Sequence, residues 1–307
     1  MKILLFTHKI DIDGMGSAVL SKLAFESVSI EFCDTFETDE KILNKITDKS
    51  IYNFDQVFIT DICPSEKILT MLSIDKNIKN KIKIFDHHIS VLENLTNKYD
   101  IAQIEIENKN GKCSGTSLFY EYLIKNNLIV KSSIIDEFVE LTRQYDTWEW
   151  KTKYNNSKAN DLNIIFSILG LEQYIETFYN KLRNNFELFD ELDIKTINDF
   201  KAEQTRICEE YIKNMHIETI NGFVAGVIDE MQDKFKNDTA EILKSNNRFA
   251  IDFVAMAITN RNTLSFRSIK SEIDVSKIAE SFGGKGHKGA SSCELTNQIK
   301  NIFNIKK

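Results

Sequence analysis

The pattern of apolar and polar positions in the N-terminal part of the chain alternates short apolar runs with amphipathic segments. Apolar runs of the length expected for buried strands occupy residues 3–7, 57–60 and 82–85. Segments with helical spacing of their apolar residues predict helices over residues 15–25, 65–72 and 114–128. Because strands and helices alternate along the chain, the pattern predicts an α/β fold with a parallel sheet.

Side chains that can bind metal ions follow each of the three apolar runs. They are His8, Asp11 and Asp13 after the first run, Asp61 after the second, and Asp86, His87 and His88 after the third. The carboxyl ends of parallel strands lie along one edge of a sheet, where open α/β sheets bind their ligands. Each residue alone could be a helix cap or a surface histidine. Three such strand ends together favour a shared metal site.

A further acid lies among aromatic residues at the end of another predicted helix. Apolar residues at helical spacing predict this helix over residues 134–145, and Asp146, Thr147 and Trp148 follow it. An acid among aromatic side chains is expected to be partly buried, and it then needs a partner. That partner could be a metal ion or the backbone of a tryptophan-rich core, and the sequence leaves both open.

The second half of the chain begins with a long, charged helical pattern between residues 162 and 211. Strand-like runs follow at residues 223–228, 249–257 and 263–268, and a short helix is predicted over residues 275–282. We therefore expect two domains joined by a helical linker. The expected boundaries are residues 1–185 for a parallel-sheet domain, 186–215 for the linker and 216–307 for a smaller α/β domain.

Residues 283–291 form a glycine-rich segment that also contains one histidine and two lysines. The backbone of such a segment can approach an anion closely. The candidate anion-binding residues are Gly283, Gly284, Gly286 and His287. Arg267, on the preceding strand-like run, adds a side chain that suits phosphate. A glycine-rich surface turn is the alternative interpretation.

Composition and charge narrow the class of protein. The chain has 307 residues, of which 42% are hydrophobic and 28% charged, as in ordinary globular proteins. The net charge of −7 argues against a protein that wraps long nucleic acid mainly by neutralising phosphates. Five scattered cysteines without a C-x-x-C pair predict neither a disulfide framework nor a zinc knuckle. No apolar run approaches the ~20 residues of a membrane span, so we expect a cytoplasmic protein without membrane association.

The ordered set of motifs resembles that of the DHH phosphoesterase superfamily, which is named for its Asp-His-His tripeptide. The matching residues are, in chain order, His8 with Asp11 and Asp13, then Asp61, then Asp86 with His87 and His88, and last Asp146. In the C-terminal part, Ser265, Arg267 and the glycine-rich segment resemble the family's substrate-binding motifs. Lys285 departs from the pattern, because it stands where the family usually has another glycine. The resemblance covers almost the whole chain.

The resemblance implies two Mn²⁺ ions, with Mg²⁺ as a substitute. By motif, one ion would be held by His8, Asp11 and Asp61, and the other by Asp13, Asp61, His87 and Asp146. Asp61 would bridge the two ions. Asp86 would orient or support a ligand, and His88 would contact the scissile phosphate. Carboxylates with a few imidazoles also suit Mn²⁺ better than zinc or copper.

The implied activity is metal-dependent hydrolysis of short RNA or DNA oligonucleotides, or of dinucleotides, to nucleoside 5′-monophosphates. Two ions about 3.5–4 Å apart can lower the pKa of a bridging water and stabilise an in-line attack on phosphorus. The C-terminal domain would close over the substrate and hold a phosphate with Arg267 and His287. The segment around Asp146 and the long helical insertion resemble the oligoribonuclease branch of the superfamily.

Three alternatives stay open on the sequence. A RecJ-like single-strand DNA exonuclease working from 5′ to 3′ would carry further nucleic-acid-binding domains. A linear or cyclic dinucleotide phosphodiesterase uses the same chemistry on a narrower substrate. A non-catalytic nucleotide-binding module would have lost metal ligands, whereas every ligand type is present here. The sequence also leaves a homodimer open.

Overall fold

A computed structural model of the chain describes residues 1–89, 98–109, 111–246 and 248–306. The chain forms two compact units, Met1–Ile197 and Asn198–Lys307. The division falls within the helix Glu191–Lys213, in the segment that the sequence analysis assigns to a helical linker. The catalytic and substrate-binding roles of the two domains stay predictions.

The first unit has the alternation of strands and helices that its apolar pattern predicts. Its elements are β1 (Lys2–His8), α1 (Ile12–Ala24), β2 (Ser27–Cys33), α2 (Thr38–Thr47), β3 (Gln56–Thr60), α3 (Glu66–Ile74), β4 (Ile82–Asp86), β5 (Ala102–Ile104), β6 (Glu107–Asn108), β7 (Gly111–Lys112), α4 (Gly115–Lys125), α5 (Ser133–Asp146), α6 (Glu149–Thr152), α7 (Ser157–Arg183) and α8 (Glu191–Lys213). The main sheet has the order β2-β1-β3-β4-β5, and every pairing in it is parallel. The predicted parallel α/β sheet is confirmed.

Helices cover the sheet on both faces, which explains why its central strands are continuous apolar runs. On one face, Leu4 and Phe6 of β1 belong to a buried cluster with Ile42 of α2 and Ile68 of α3. Strand side chains alternate between faces, so the neighbouring positions of β1 point to the other side. Both sets are fully buried, and a strand buried on both faces shows no polar alternation.

An aromatic cluster fills the opposite face of the sheet. Phe58 of β3 and Phe85 of β4 lie with their ring centroids 5.1 and 5.6 Å from that of Phe119 on α4. Phe25, which follows α1, stacks on Phe58 at 5.8 Å. This cluster joins the two central strands to α4, and the N-terminus of that helix lies at the candidate site described below.

The second unit is built on a mixed sheet. Its elements are β8 (His216–Ile220), β9 (Phe223–Ile228), α9 (Lys236–Asn246), β10 (Phe253–Ile258), β11 (Thr263–Ser268), α10 (Val275–Ser281), β12 (Lys285–His287), β13 (Ala290–Glu294) and α11 (Asn297–Ile302). The strand order is β12-β13-β11-β10-β9-β8, with β9 and β10 parallel and the other neighbours antiparallel. The rings of Phe253, Phe266 and Phe303 pack together in its core.

The glycine-rich segment differs from the loop that the sequence predicts. Residues Lys285–His287 form the edge strand β12, which pairs with β13. Gly286 lies opposite Ser291, and a Cβ on Gly286 would come 2.4 Å from the Ser291 Cα. Here glycine is required for close approach of two strands, in addition to any approach to an anion. Composition alone does not separate these two reasons for glycine.

The sequence pattern also misses the edge strand β2. Its first four residues alternate between exposed and partly buried positions, and Cys33 at its end is buried. An edge strand with a solvent-facing side lacks the continuous apolar run that identifies the central strands. Across the residues that the structure describes, the search for a helix long and apolar enough to cross a lipid bilayer finds none.

Replacing Phe58 with alanine is expected to destabilise the first unit by about 3–5 kcal/mol, because it leaves a cavity among four aromatic rings. Equilibrium urea unfolding followed by circular dichroism measures the change. Phe36→Ala is the matched control, since Phe36 is 97% exposed and should change stability by no more than about 0.5 kcal/mol. Equal effects of the two substitutions would contradict the central role of the aromatic cluster.

Candidate active site

The sheet order explains why the predicted ligands meet. Strands β1, β3 and β4 are direct neighbours, and all three run in the same direction. His8 is the last residue of β1, Asp61 directly follows β3, and Asp86 is the last residue of β4. The backbone NH of Asp61 still donates to the carbonyl of Phe85, at 3.0 Å. The three strand ends are therefore held side by side.

One group of ligand atoms comes from His8, Asp11 and Asp61. These atoms lie within 4.8 Å of one another. The Nδ1 atom of His8 is 2.7 Å from Asp11 Oδ2 and 3.5 Å from Asp61 Oδ2. Asp11 also caps α1, because its carboxylate accepts the backbone NH of Gly14 at 3.1 Å. The cap role and a ligand role are thus compatible in one side chain.

A second group comes from Asp13, His87 and Asp146, again within 4.8 Å. The Nε2 atom of His87 is 3.3 Å from Asp146 Oδ2 and 3.8 Å from Asp13 Oδ2. The same atom is 3.3 Å from Asp61 Oδ1. Asp61 therefore presents one oxygen to each group. Asp146, the last residue of α5, enters the cluster from outside the sheet.

The electrostatics of this cluster indicate an excess of negative charge. Burial, reinforced by the charges of Asp13 and Asp11, raises the pKa of Asp61 well above its ordinary value. Burial and the Asp13 charge raise the pKa of Asp146 to about 7. The hydrogen bond to Asp11 and the nearby Asp61 carboxylate raise the pKa of His8 to about 10. Protons are retained here because they offset charge that nearby carboxylates would otherwise leave uncompensated.

Divalent cations fit this arrangement. The Oδ2 atoms of Asp61 and Asp146 are buried and accept no hydrogen bond from the described part of the chain. Unpaired buried carboxylate oxygens are costly unless a cation binds them. A donor set of carboxylates with a few imidazoles suits ions such as Mn²⁺. The residues present can therefore hold divalent metal.

The N-terminus of α4 supports Asp13. The backbone NH groups of Gly115 and Thr116 donate to the two carboxylate oxygens of Asp13, at 2.6 and 3.0 Å. The Thr116 hydroxyl donates to the Asp13 carbonyl. These hydrogen bonds orient the fully buried carboxylate, and the partial positive charge of a helix N-terminus is favourable for an acidic side chain. No sequence pattern signals this contact, which joins residues 102 positions apart.

Gly115 also lies against Asp61. A Cβ at this position would come 2.6 Å from the Asp61 backbone nitrogen and 2.7 Å from its Cβ. Asp61 itself has a left-handed backbone with φ 59°, which aspartate tolerates better than most residues. A residue without a side chain is therefore needed where α4 meets the strand end that carries Asp61.

Asp86 and His88 form a third group with Asp61 and His87, in which the potential ligand atoms also lie within 4.8 Å of one another. Asp86 is fully buried, and its Oδ1 accepts the backbone NH of His87 at 2.8 Å and lies 2.7 Å from His88 Nδ1. The bond to Asp86 raises the pKa of His88. Half of the His88 side chain is exposed. Asp86 thus orients the His88 imidazole through Nδ1 and leaves its other nitrogen, Nε2, for a ligand.

In the second unit, Arg267 is a half-buried cation without an ion-pair partner among the described residues. Its guanidinium donates to Asn237 Oδ1 at 3.1 Å, to Ser265 Oγ at 3.0 Å and to the Phe266 carbonyl at 2.8 Å. Burial lowers the pKa of Arg267. These neutral acceptors orient the guanidinium but leave its charge uncompensated, which makes it a candidate anion-binding group.

The strand register places His287 on the same sheet face as Arg267. Ala290 pairs with His287 on one side and with Arg267 on the other. Residues directly opposite one another in antiparallel strands share a face, and two strand spacings separate the two side chains by roughly 10 Å. Gly283 and Gly284 lie between α10 and β12, and Gly284 packs against the Ser292 carbonyl.

Comparisons with known proteins agree with this architecture. No family model matches the chain. Among solved structures, the DHH domain of PF0399, a protein grouped with ribosomal proteins, aligns over 99% of this chain and 85% of its own, with a TM-score of 0.57 and 14% identity. PggH from Vibrio cholerae, a pGpG-specific phosphodiesterase, aligns over 100% of both chains with a TM-score of 0.51 and 12% identity. The fold is that of DHH-domain proteins.

A curated relative defines the family more closely. Oligoribonuclease NrnB from Bacillus subtilis is 30% identical over 309 aligned positions, which cover 97% of this chain and 74% of NrnB. The chain therefore belongs to the DHH phosphoesterases, in the family of oligoribonuclease NrnB. Membership makes it a hydrolase of the nuclease and phosphodiesterase class.

Adding Mn²⁺ is expected to raise the melting temperature of the protein, because a ligand that binds only the folded state stabilises it by about 2.7 kcal/mol at 100 times its Kd. Asp61→Asn should remove most of this rise, since Asp61 presents an oxygen to both ligand groups. Scanning calorimetry with Mn²⁺ and with EDTA measures it. Asp100→Asn, at an exposed acid, is the control. An equal rise in both variants would remove Asp61 from the ligand set.

Gly115→Ala is expected to weaken Mn²⁺ binding by about 10–100-fold, as substitutions beside metal ligands commonly do. The added methyl group would push Asp61 and the NH groups that hold Asp13 out of position. Isothermal titration of Mn²⁺ gives the affinity. Gly289→Ala is the matched control, because a Cβ there meets nothing within 4 Å. Unchanged affinity in Gly115→Ala would show that the helix contact does not set the ligand geometry.

Proposed function

We propose that this protein is a Mn²⁺-dependent exonuclease that hydrolyses short oligonucleotides and releases nucleoside 5′-monophosphates. One observation carries the proposal: two groups of one imidazole and two carboxylates lie side by side, and Asp61 presents one oxygen to each. A symmetric pair of cation sites is the arrangement that phosphodiester hydrolysis uses. Mg²⁺ is the expected substitute ion.

The residues of the chain have separate tasks in this proposal. His8 and Asp11 hold one ion, and Asp13, His87 and Asp146 hold the other, with Asp61 between them (the side-chain distances above support this division). When bound, the two ions activate a water molecule and stabilise the charge that develops on the phosphate. The N-terminus of α4 fixes Asp13, so that this carboxylate does not have to reorganise during the reaction.

His88 and Asp86 act beside the ions rather than as ligands to them. Asp86 accepts from His88 Nδ1, and this hydrogen bond favours the protonated imidazole by raising the pKa of His88. The free Nε2–H of His88 then donates to a non-bridging oxygen of the scissile phosphate. A charged donor at this position strengthens as negative charge develops on phosphorus.

In this proposal, residues of the second unit bind substrate phosphate. Arg267 is oriented by Ser265 and by neutral backbone and amide acceptors, so its charge is free for a phosphate. His287 stands on the same sheet face, beside the backbone of Gly283, Gly284 and Gly286. We assign these six residues to substrate binding.

Short substrates are favoured over long ones. The relative NrnB is named an oligoribonuclease, and a net charge of −7 works against tracking along a long phosphate chain. Digestion of long single-stranded DNA, as by a RecJ-like exonuclease, is the alternative that the test below separates. Cleavage restricted to linear or cyclic dinucleotides is the other.

Product analysis tests the proposal. Purified protein with Mn²⁺ is incubated with 5′-labelled RNA and DNA of two, five and about twenty-four nucleotides, a range that brackets what a closed pocket accepts. We expect rapid release of monophosphates from the two short lengths, with EDTA abolishing it. Asp61→Asn should lower kcat about 1,000-fold or more, the equivalent of several kcal/mol of lost charge stabilisation.

The outcomes separate the alternatives. Efficient digestion of the long DNA would favour the RecJ-like activity, and cleavage of two-nucleotide substrates alone would favour a dinucleotide phosphodiesterase. Full activity of Asp61→Asn, or full activity in EDTA, would contradict the metal mechanism. Asp100→Asn is again the control, because this exposed acid lies outside the ligand groups.

A further inference from the structure

The turn that follows Asp146 carries an unusual residue. Trp148 lies two positions beyond Asp146, between α5 and α6, and 55% of its surface is exposed. Its backbone is left-handed, with φ 64° and ψ 4°. A bulky aromatic residue is a genuine outlier in this region. Large exposure and an unfavourable backbone conformation thus coincide beside a candidate metal ligand.

The rest of the chain shows which residue this backbone ordinarily takes. The other left-handed positions without glycine, within the described ranges, are Lys49, Asp61, Asn127, Asn155, Asn185, Asn221, Asn262 and Asn304. Asparagine fills most of them, because its short polar side chain tolerates the conformation. Trp148 departs from the chain's own pattern. Backbone strain that the surrounding structure maintains is found most often at functional positions.

The surroundings of Trp148 are built to hold it. Its NH donates to the Tyr145 carbonyl at 3.1 Å, and its carbonyl accepts the NH of Thr152 at 3.2 Å. Next to it, the buried Glu149 accepts from Arg143 Nη1 at 2.5 Å. Arg143 also donates to the carboxylate of Glu140 through two nitrogens, at 2.7 and 2.9 Å. This network fixes the turn without covering the indole.

Core packing does not account for the indole. Trp148 meets Trp150 in a T-shaped contact with centroids 5.7 Å apart, and Trp150 in turn stacks on Tyr145. A tryptophan retained for stability would bury most of its surface. Here the ring has one aromatic neighbour on its inner side, and more than half of its surface faces solvent.

We propose that Trp148 is the stacking platform for the nucleobase adjacent to the scissile phosphate. The Cα atoms of Trp148 and Asp146 are at most about 7.6 Å apart, because two residues separate no further. The carboxylate cluster would hold metal ions, and these would bind phosphate, but the cluster offers nothing to an uncharged base. Stacking on an aromatic ring binds any base. The inference rests on the function proposed above and adds the substrate contact that it lacks.

Three substitutions separate a binding role from a structural one. Trp148→Asn places in the turn the residue that the chain uses elsewhere, so the melting temperature should hold or rise. Its KM for a dinucleotide should rise about tenfold or more through lost stacking, with kcat changed little. Trp148→Phe keeps a ring and should stay within about threefold of the wild type. Phe186→Ala, at another exposed aromatic residue, should change neither KM nor kcat.

The substrate provides the decisive comparison. A dinucleotide analogue that lacks both bases has nothing to stack, so wild type and Trp148→Asn should give the same KM for it. An equal rise in KM for the intact and the abasic substrate would overturn the proposal. So would a fall in melting temperature and kcat with KM unchanged, because that result would make Trp148 a structural residue.

Fluorescence gives a readout that does not depend on turnover. The chain has two tryptophans, so Trp150→Phe leaves Trp148 as the single emitter and Trp148→Phe leaves Trp150. Adenosine 5′-monophosphate should quench the first variant and leave the second nearly unchanged. Quenching without oligonucleotide hydrolysis would support stacking while refuting the proposed function. Hydrolysis by the wild type without quenching of Trp148 would refute the stacking inference alone.

Discussion

The first unit depends on one electrostatic constraint, which is the burial of several carboxylates at a single edge of a sheet. Burial, together with the nearby charges of Asp13 and Asp11, raises the pKa of both Asp61 and Asp146. Such crowding costs folding free energy unless cations or dipoles offset it. The neighbouring structure offsets it in part, through the NH groups at the start of α4 and through the His8 imidazole. The remainder is the charge deficit that divalent ions are suited to fill.

The sheet brings the three strand ends together at this edge, and the helices hold the side chains there in place. Parallel pairing of β1, β3 and β4 aligns three consecutive strand ends, each one strand spacing from the next. The aromatic contact between Phe58 and Phe119 then fixes α4 against β3, so that the start of the helix meets Asp13 and Asp61. Packing on one face of the sheet thereby sets hydrogen bonds at its edge.

Sequence patterns predict which side chains meet at this edge better than they predict the contacts that support them, for a physical reason. A central strand is a continuous apolar run, and the residue at its end is identifiable, so the pattern of apolar runs alone groups His8, Asp61 and Asp86. The contact of Gly115 with Asp13 joins distant segments and leaves no local periodicity. The edge strand β2 and the short strand β12 have exposed faces, and their patterns resemble loops. The left-handed backbone of Trp148 also has no sequence signal, because the residue type tryptophan does not predict this conformation.

Each unit contains charge that its own groups do not offset. The first has more buried negative charge than its own groups offset, and the second holds Arg267 with no carboxylate in ion-pair range among the described residues. Neither unit offsets its charge by folding further. The carboxylate oxygens without a hydrogen bond and the Arg267 guanidinium already lie in ordered structure. A divalent ion is suited to offset the negative charge in the first unit, and the phosphate of a nucleotide is suited to offset the charge of Arg267. Under the proposed function, metal ions and substrate phosphate supply these charges, and each ligand stabilises the unit to which it binds.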